Sequence, residues 1–217
     1  MTFTGLPHAA VEFYVALEEN NTREFWHAER ETYEREVRGP MAALLAALED
    51  EFGPGRVFRP NRNLRFSRDK SPYKTHQGVF VGVGPRVGWY AEVSADGFRV
   101  GAGAYHLDPP ALASFRRAVD SPAGGELARL VTTLAASGWE VGGDRLKSAP
   151  RGWSRDHPRI ELLRHRSLSV SRWVTDADLV TTPALAVHVR DSWRDVRPLV
   201  EWVSDVVTTP GDPQDGA

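Results

Sequence analysis

Cysteine is absent from this 217-residue chain, which removes disulfides, zinc thiolates and thiol nucleophiles from its repertoire. No apolar run approaches the roughly 18 residues that a membrane-spanning helix needs. The start, MTFTGLPHAAVEF, has no basic stretch followed by an apolar one, so no export signal is read and a cytoplasmic location without membrane attachment is expected. The sequon Asn20-Asn21-Thr22 then has no consequence. Missing too are a P-loop, a G-x-G-x-x-G turn, a G-x-S-x-G elbow and an H-E-x-x-H helix. Ser67 and Lys70 spell S-x-x-K, but the S-D-N and K-T-G elements that give that pattern meaning are absent. Lysine is the most telling shortage. Only Lys70, Lys74 and Lys147 stand against twenty-four arginines, and an ammonium that persists in so arginine-biased a chain marks a site that a flexible point charge suits better than a planar fork.

What is present is the composition of a globular protein: 41% apolar residues, with seven tryptophans and nine phenylalanines. The length fits one domain, expected over residues 1–207, and the tail 208–217, TTPGDPQDGA, has nothing to bury and is expected to be disordered.

The net charge of -2 conceals a segregation. Residues 1–55 carry four basic and eleven acidic side chains, a net of -7, whereas 56–76 carry seven and one, a net of +6. Residues 145–172 carry eight and two, again +6. One explanation is that acidic helices neutralise a basic sheet. The other is that the basic segments, 61–76 and 144–158, converge on an anion site.

Apolar periodicity predicts helices through Val11, Phe13, Tyr14 and Leu17, then from an N-cap at Thr22 through Phe25, Trp26, Tyr33 and Val37. Gly39-Pro40 is expected to interrupt the second, before a third through Met41, Leu44, Leu45, Leu48 and Phe52. Val79, Val81 and Val83 alternate as in a strand. A hairpin is expected at about 87–105, its turn centred on Asp96-Gly97, with Trp89, Ala91, Val93, Val100, Ala102 and Ala104 on one face. Tyr90, Glu92, Arg99, Gly101, Gly103 and Tyr105 share the other. Glycines at alternate strand positions mark a close approach, with a packed helix the expected cause and a ligand or another backbone the alternative. Asp108-Pro109-Pro110 opens two further helices, 167–174 returns as a strand, and a last helix runs from Leu185 to Val207 with a kink expected at Pro198. Helices at both ends around a mostly antiparallel central sheet predict a single-domain α+β fold.

The string RFSRDKSPYKTH holds Arg65, Arg68, Lys70 and Lys74 beside Tyr73 and His76, an array of forks and point charges suited to phosphate or carboxylate oxygens. In the competing reading Asp69 caps a turn and the cations pair with helix glutamates. Arg62, Lys147 and Arg151 are further candidate ligand-binding residues. Lys70, Tyr73, His76 and His157 are candidates for catalysis, imidazole being suited to proton transfer near neutrality. His76, His106 and His157 lack the carboxylate company that a metal needs, so no metal and no cofactor is expected. Phe66, Tyr73 and Trp153 among the arginines would also suit a short or single-stranded nucleic acid.

The motifs Asn20 through Trp26 with Arg30 and Tyr33, Arg62 through His76, Gly101-Ala102-Gly103 with His106, and Leu146-Lys147 through Pro158 resemble the uncharacterised family known as domain of unknown function 2461, over residues 8–205. The resemblance implies a shared fold and a shared site, without a reaction attached. In that family an aspartate usually succeeds the arginine at position 62, where this chain has Asn63. A carboxylate acting there as base or metal ligand would be lost, and one that only orients an arginine would be replaced. The expectation is a small anionic ligand held, with or without turnover, between the two basic segments. Nucleic-acid binding and a non-catalytic interaction module are the alternatives.

Overall fold

The computed structural model describes residues 2–63, 69–84 and 86–208. Thr22 opens α2 (Arg23–Thr32) as its spacing predicts, its hydroxyl accepting the Phe25 N–H at 3.2 Å, after α1 (His8–Glu19). Gly39-Pro40 does not interrupt the helical run. A π-helical turn, Tyr33–Arg38, leads directly into α3 (Gly39–Phe52), and the Gly39 N–H reaches back five residues to the Glu34 carbonyl. The wider turn accommodates a proline that cannot donate and would crowd a tighter helix. α3 ends at Gly53, whose φ of 85° lies in the left-handed region.

The described residues form six strands: β1 (Gly55–Val57), β2 (His76–Gly84), β3 (Val87–Ser94), β4 (Gly97–Ala104), β5 (Glu140–Gly142) and β6 (Leu168–Val174). They form one sheet in the order β1-β2-β3-β4-β6-β5. Gly55 pairs with Val81 and Val57 with Val79, while Val141 pairs with Val170, both antiparallel. The remaining helices are α4 (Pro109–Asp120), capped by Asp108, α5 (Ala123–Ala136), α6 (Ile160–Leu163), α7 (Ala177–Val180) and α8 (Ala184–Thr208), which continues through Pro198. The fold is α+β, as expected. Of the tail, Thr208 closes α8 and 209–217 lie outside the described residues.

The hairpin turn is Ala95-Asp96, one residue earlier than expected, and Gly97 opens β4 at a φ of 111° that glycine adopts without strain. Trp89, Ala91, Val93, Val100, Ala102 and Ala104 are all buried. The close approach at Gly101 and Gly103 is that of another backbone and not of a packed helix. A Cβ there would stand 2.8 Å from the Val170 carbonyl oxygen and 2.2 Å from that of Leu168, so the adjacent strand β6 is what requires glycine.

Two compact units make up the chain: Met1–Val81 with Tyr90–Val100 and Trp173–Trp193, and Gly82–Trp89 with Gly101–Arg172 and Arg194–Ala217. In the first, Phe13, Tyr14, Tyr33, Leu44 and Leu48 from the amino-terminal helices are buried, as are Val79, Val93, Val100 and Trp193. The Trp193 ring meets Phe52 edge-on at 5.1 Å and its Nε1 donates to the Tyr90 carbonyl at 3.2 Å. In the second, Phe115, Leu127, Leu163, Val170 and Val200 are buried, and Phe115 meets Trp202 edge-on.

Candidate functional site

The first basic segment lies wholly in the first unit. Chain 58–62 runs antiparallel to 72–78: Phe58 N–H donates to Gly78, Lys74 N–H to Pro60 and Arg62 N–H to Pro72, with Asn61 bridging Tyr73. Arg65, Phe66, Ser67 and Arg68, which fall between these runs in sequence, lie outside the described residues. Asp69 Oδ1 accepts the Ser71 N–H at 2.9 Å and hydroxyl at 2.6 Å, and its Oδ2 accepts from Arg62. Asp69 thus caps a turn, and it also orients Arg62. Lys70 is exposed beside it.

Asn21 fixes the next step. Its side chain donates to the Tyr73 carbonyl at 3.0 Å and accepts the Tyr73 N–H at 3.1 Å, satisfying both groups as a neighbouring strand would. The Tyr73 ring, only 7% exposed, stacks on Trp26 at 4.1 Å and 12°. Tyr73, expected as a catalytic residue, is therefore built into the packing between this segment and α2. Lys74 folds back to donate to the Arg59 carbonyl at 2.9 Å, over the Phe58 ring at 5.3 Å. Burial, and then the Arg59 guanidinium, lower its ammonium below the ordinary lysine range.

Alternation along β2 sends Gln77 and His76 to opposite faces. Gln77 is buried, accepts from the Tyr33 hydroxyl and donates to the Phe58 and Gly78 carbonyls at 2.8 and 2.9 Å. His76 remains half-buried, with Nε2 3.9 Å from Glu92 Oε2. Glu92, with 7% of its side chain exposed, accepts from the Tyr90 hydroxyl at one oxygen and from Arg99 at the other. Tyr90 reaches it across Gly78, where a Cβ would stand 2.5 Å from the phenolic oxygen. The Arg99 guanidinium lies 5.0 Å from the centre of the Trp173 ring, and its buried Nε has no hydrogen-bond partner among the described residues. A buried carboxylate is tolerable only when so saturated. Burial is the largest influence on His76 and lowers its proton affinity. Lys74, Arg99 and Arg62 lower it further, and Glu92 alone raises it. The ring stays in reach of solvent, with 38% of its side chain exposed.

The second segment belongs to the other unit. His157, a catalytic candidate from sequence, has Nε2 2.9 Å from Asp120 Oδ1, while its Nδ1 accepts the Arg159 N–H at 3.0 Å. Both ring nitrogens serve the loop. Arg159 donates to the carbonyls of Val119, Asp120 and Ser121 at 2.6, 2.8 and 3.1 Å, closing the carboxyl end of α4 where a cation is favoured. Arg164 likewise binds the Leu146 and Lys147 carbonyls at 2.7 and 2.9 Å. Lys147 lines an open cavity of about 370 Å³ with Ser148, Arg155, Glu161 and Arg164. Arg151 is exposed in the adjoining turn. Among the described residues no group of three or more histidines and carboxylates is placed to hold a metal ion, and no helix is long and apolar enough to cross a membrane.

Around His76 the structure assembles Arg62, Lys74, Glu92, Arg99 and Tyr90. The last three were absent from the expected site, although the alternation of the hairpin had already put them on one face. A glutamate and an arginine at facing strand positions, beside a tyrosine, is the signal that would have found them.

The chain belongs to the family described as conserved hypothetical protein (DUF2461), matched over residues 9–202. No curated protein and no solved structure matches it.

Proposed function

We propose that the chain binds a small phosphate- or carboxylate-bearing molecule at the His76 face of the first unit. The observation that carries this reading is a solvent-facing imidazole that feels three guanidinium and ammonium groups, beside a glutamate whose two oxygens are already taken by Tyr90 and Arg99. Such a surface lacks an anion, not a cation. Arg99 supports it, because its guanidinium meets Glu92 through one nitrogen while, among the described residues, its buried Nε has no hydrogen-bond partner. Arg62 and Lys74 would contact the anion.

A thermal-shift screen of phosphorylated metabolites, dicarboxylates and short oligonucleotides tests it, since a ligand specific to the folded state raises the melting temperature. Small anions are expected to stabilise the parent, and Lys74→Ala to weaken the best of them by roughly tenfold, the effect of losing one charge-assisted contact. Equal responses of parent and variant would detach Lys74 from the site. Stabilisation by oligonucleotides alone, collapsing with salt, would replace the small molecule with a nucleic acid.

A further inference from the structure

We propose that the anion enters this site together with a proton, which His76 takes up, so that the ligand class is a dianion held against an imidazolium. The inference rests on the reading of this face as an anion site. Its ground is the arrangement of charge about one ring. Nε2 of His76 faces Glu92 of β3 at 3.9 Å, and Glu92 is fixed at both oxygens by Tyr90, a neutral phenol, and by Arg99 of β4. Lys74, two residues before the ring, and Arg62, on the opposing run, supply the other charges that act on it.

In the free protein burial and these three cations keep the proton off, against the attraction of Glu92. A dianion lodged among the cations cancels their repulsion and adds its own attraction, while Glu92 stays in place. The ring therefore gains a proton on binding, and protonation reciprocally tightens the anion. Proton affinity is higher in the complex than in the free protein, so anion affinity rises as pH falls between the two midpoints and is flat on either side. The imidazolium Nε2 then faces Glu92 at ion-pair distance, 3.9 Å, and its N–H groups are the donors it can offer the ligand.

Sodium sulfate is the probe, because it stays a dianion throughout the range in which imidazole titrates. The His76 ring is tracked by NMR, in chloride and in sulfate at equal ionic strength, with His76→Asn for comparison. Sulfate is expected to raise the His76 midpoint by about one unit, equivalent to about tenfold tighter sulfate at low than at high pH, and to leave His157 unchanged. His76→Asn is expected to bind sulfate with an affinity independent of pH. Should the variant misfold, the wild-type midpoint decides alone, with the ring assigned through its bonds to the backbone. Sulfate-induced shifts at Lys74 and Arg62 with an unmoved His76 midpoint would overturn the proton coupling and leave the anion site standing. No response to sulfate at any of these residues would overturn both.

Discussion

Residues 56–76 and 145–172 carry the same formal excess of +6, yet the two stretches use it differently. In 145–172 the guanidinium groups of Arg159 and Arg164 are bound to backbone carbonyls, and His157 is held at both nitrogens. There the positive charge secures chain to chain. In 56–76 Asp69 orients Arg62, Asn21 fixes Tyr73, and His76 is left facing solvent among cations with one saturated carboxylate behind it. Two buried or half-buried histidines repeat the contrast. His165, 3% exposed, donates from Nδ1 to the Ser167 carbonyl at 2.8 Å and reaches no solvent, whereas 38% of the His76 side chain does. Charge density thus says where cations are dense, and only the partner of each cation says whether it holds the fold.

The sharpest way to break this comparison is Arg159→Ala. It strips three carbonyls at the end of α4 of a charged donor, and a loss of about 2–3 kcal/mol in urea melts is expected, in the range of charge-assisted bonds, with sulfate affinity unaltered. A stability change within experimental error, or weaker sulfate binding, would merge the two regions.

A smaller effect separates the histidines by pH. Burial is the first cause that lowers His165, with Arg145 and Arg164 adding to it against the Ser167 carbonyl and Glu161. Its folded proton affinity lies below the unfolded one, so the unfolded chain binds the proton first. Stability is then full above the unfolded midpoint near pH 6.5 and falls as pH drops toward the folded one, with a slope of at most about 1.4 kcal/mol per pH unit. In a His76→Asn background this acid loss is expected to persist in sulfate, and His165→Gln to reduce its slope. Recovery by sulfate would mean that the anion acts on His165.

The smallest expected effect is that of Lys147→Ala and Arg151→Ala, surface changes worth less than about 0.5 kcal/mol. They sharpen the comparison if sulfate binding is also unmoved, and blur it if binding weakens.

Local chemistry made much of the fold legible: the caps at Thr22 and Asp108, the faces of the hairpin, and the four-three spacing of α8 depend only on neighbours in sequence. Gly39-Pro40 reads as a break because the bond from Gly39 to Glu34, which carries the helix past it, depends on a π-helical turn that no pattern announces. The surroundings of the candidate residues were less legible. Tyr73 looks available until Trp26, distant in sequence, stacks on it. His157 looks catalytic until Asp120 and Arg159 take its nitrogens. Glu92 and Arg99 share a face with Gly101 and Gly103, and those glycines serve the backbone of β6.

The most direct measurement is an NMR titration of the full chain with inorganic phosphate, observed at the backbone amides and imidazoles. Saturable shifts are expected at Arg62, Lys74, His76 and Arg99, and none at Lys147, Arg151 and His157. Shifts confined to the second group, or no saturable shift at His76, would contradict an anion site on the His76 face.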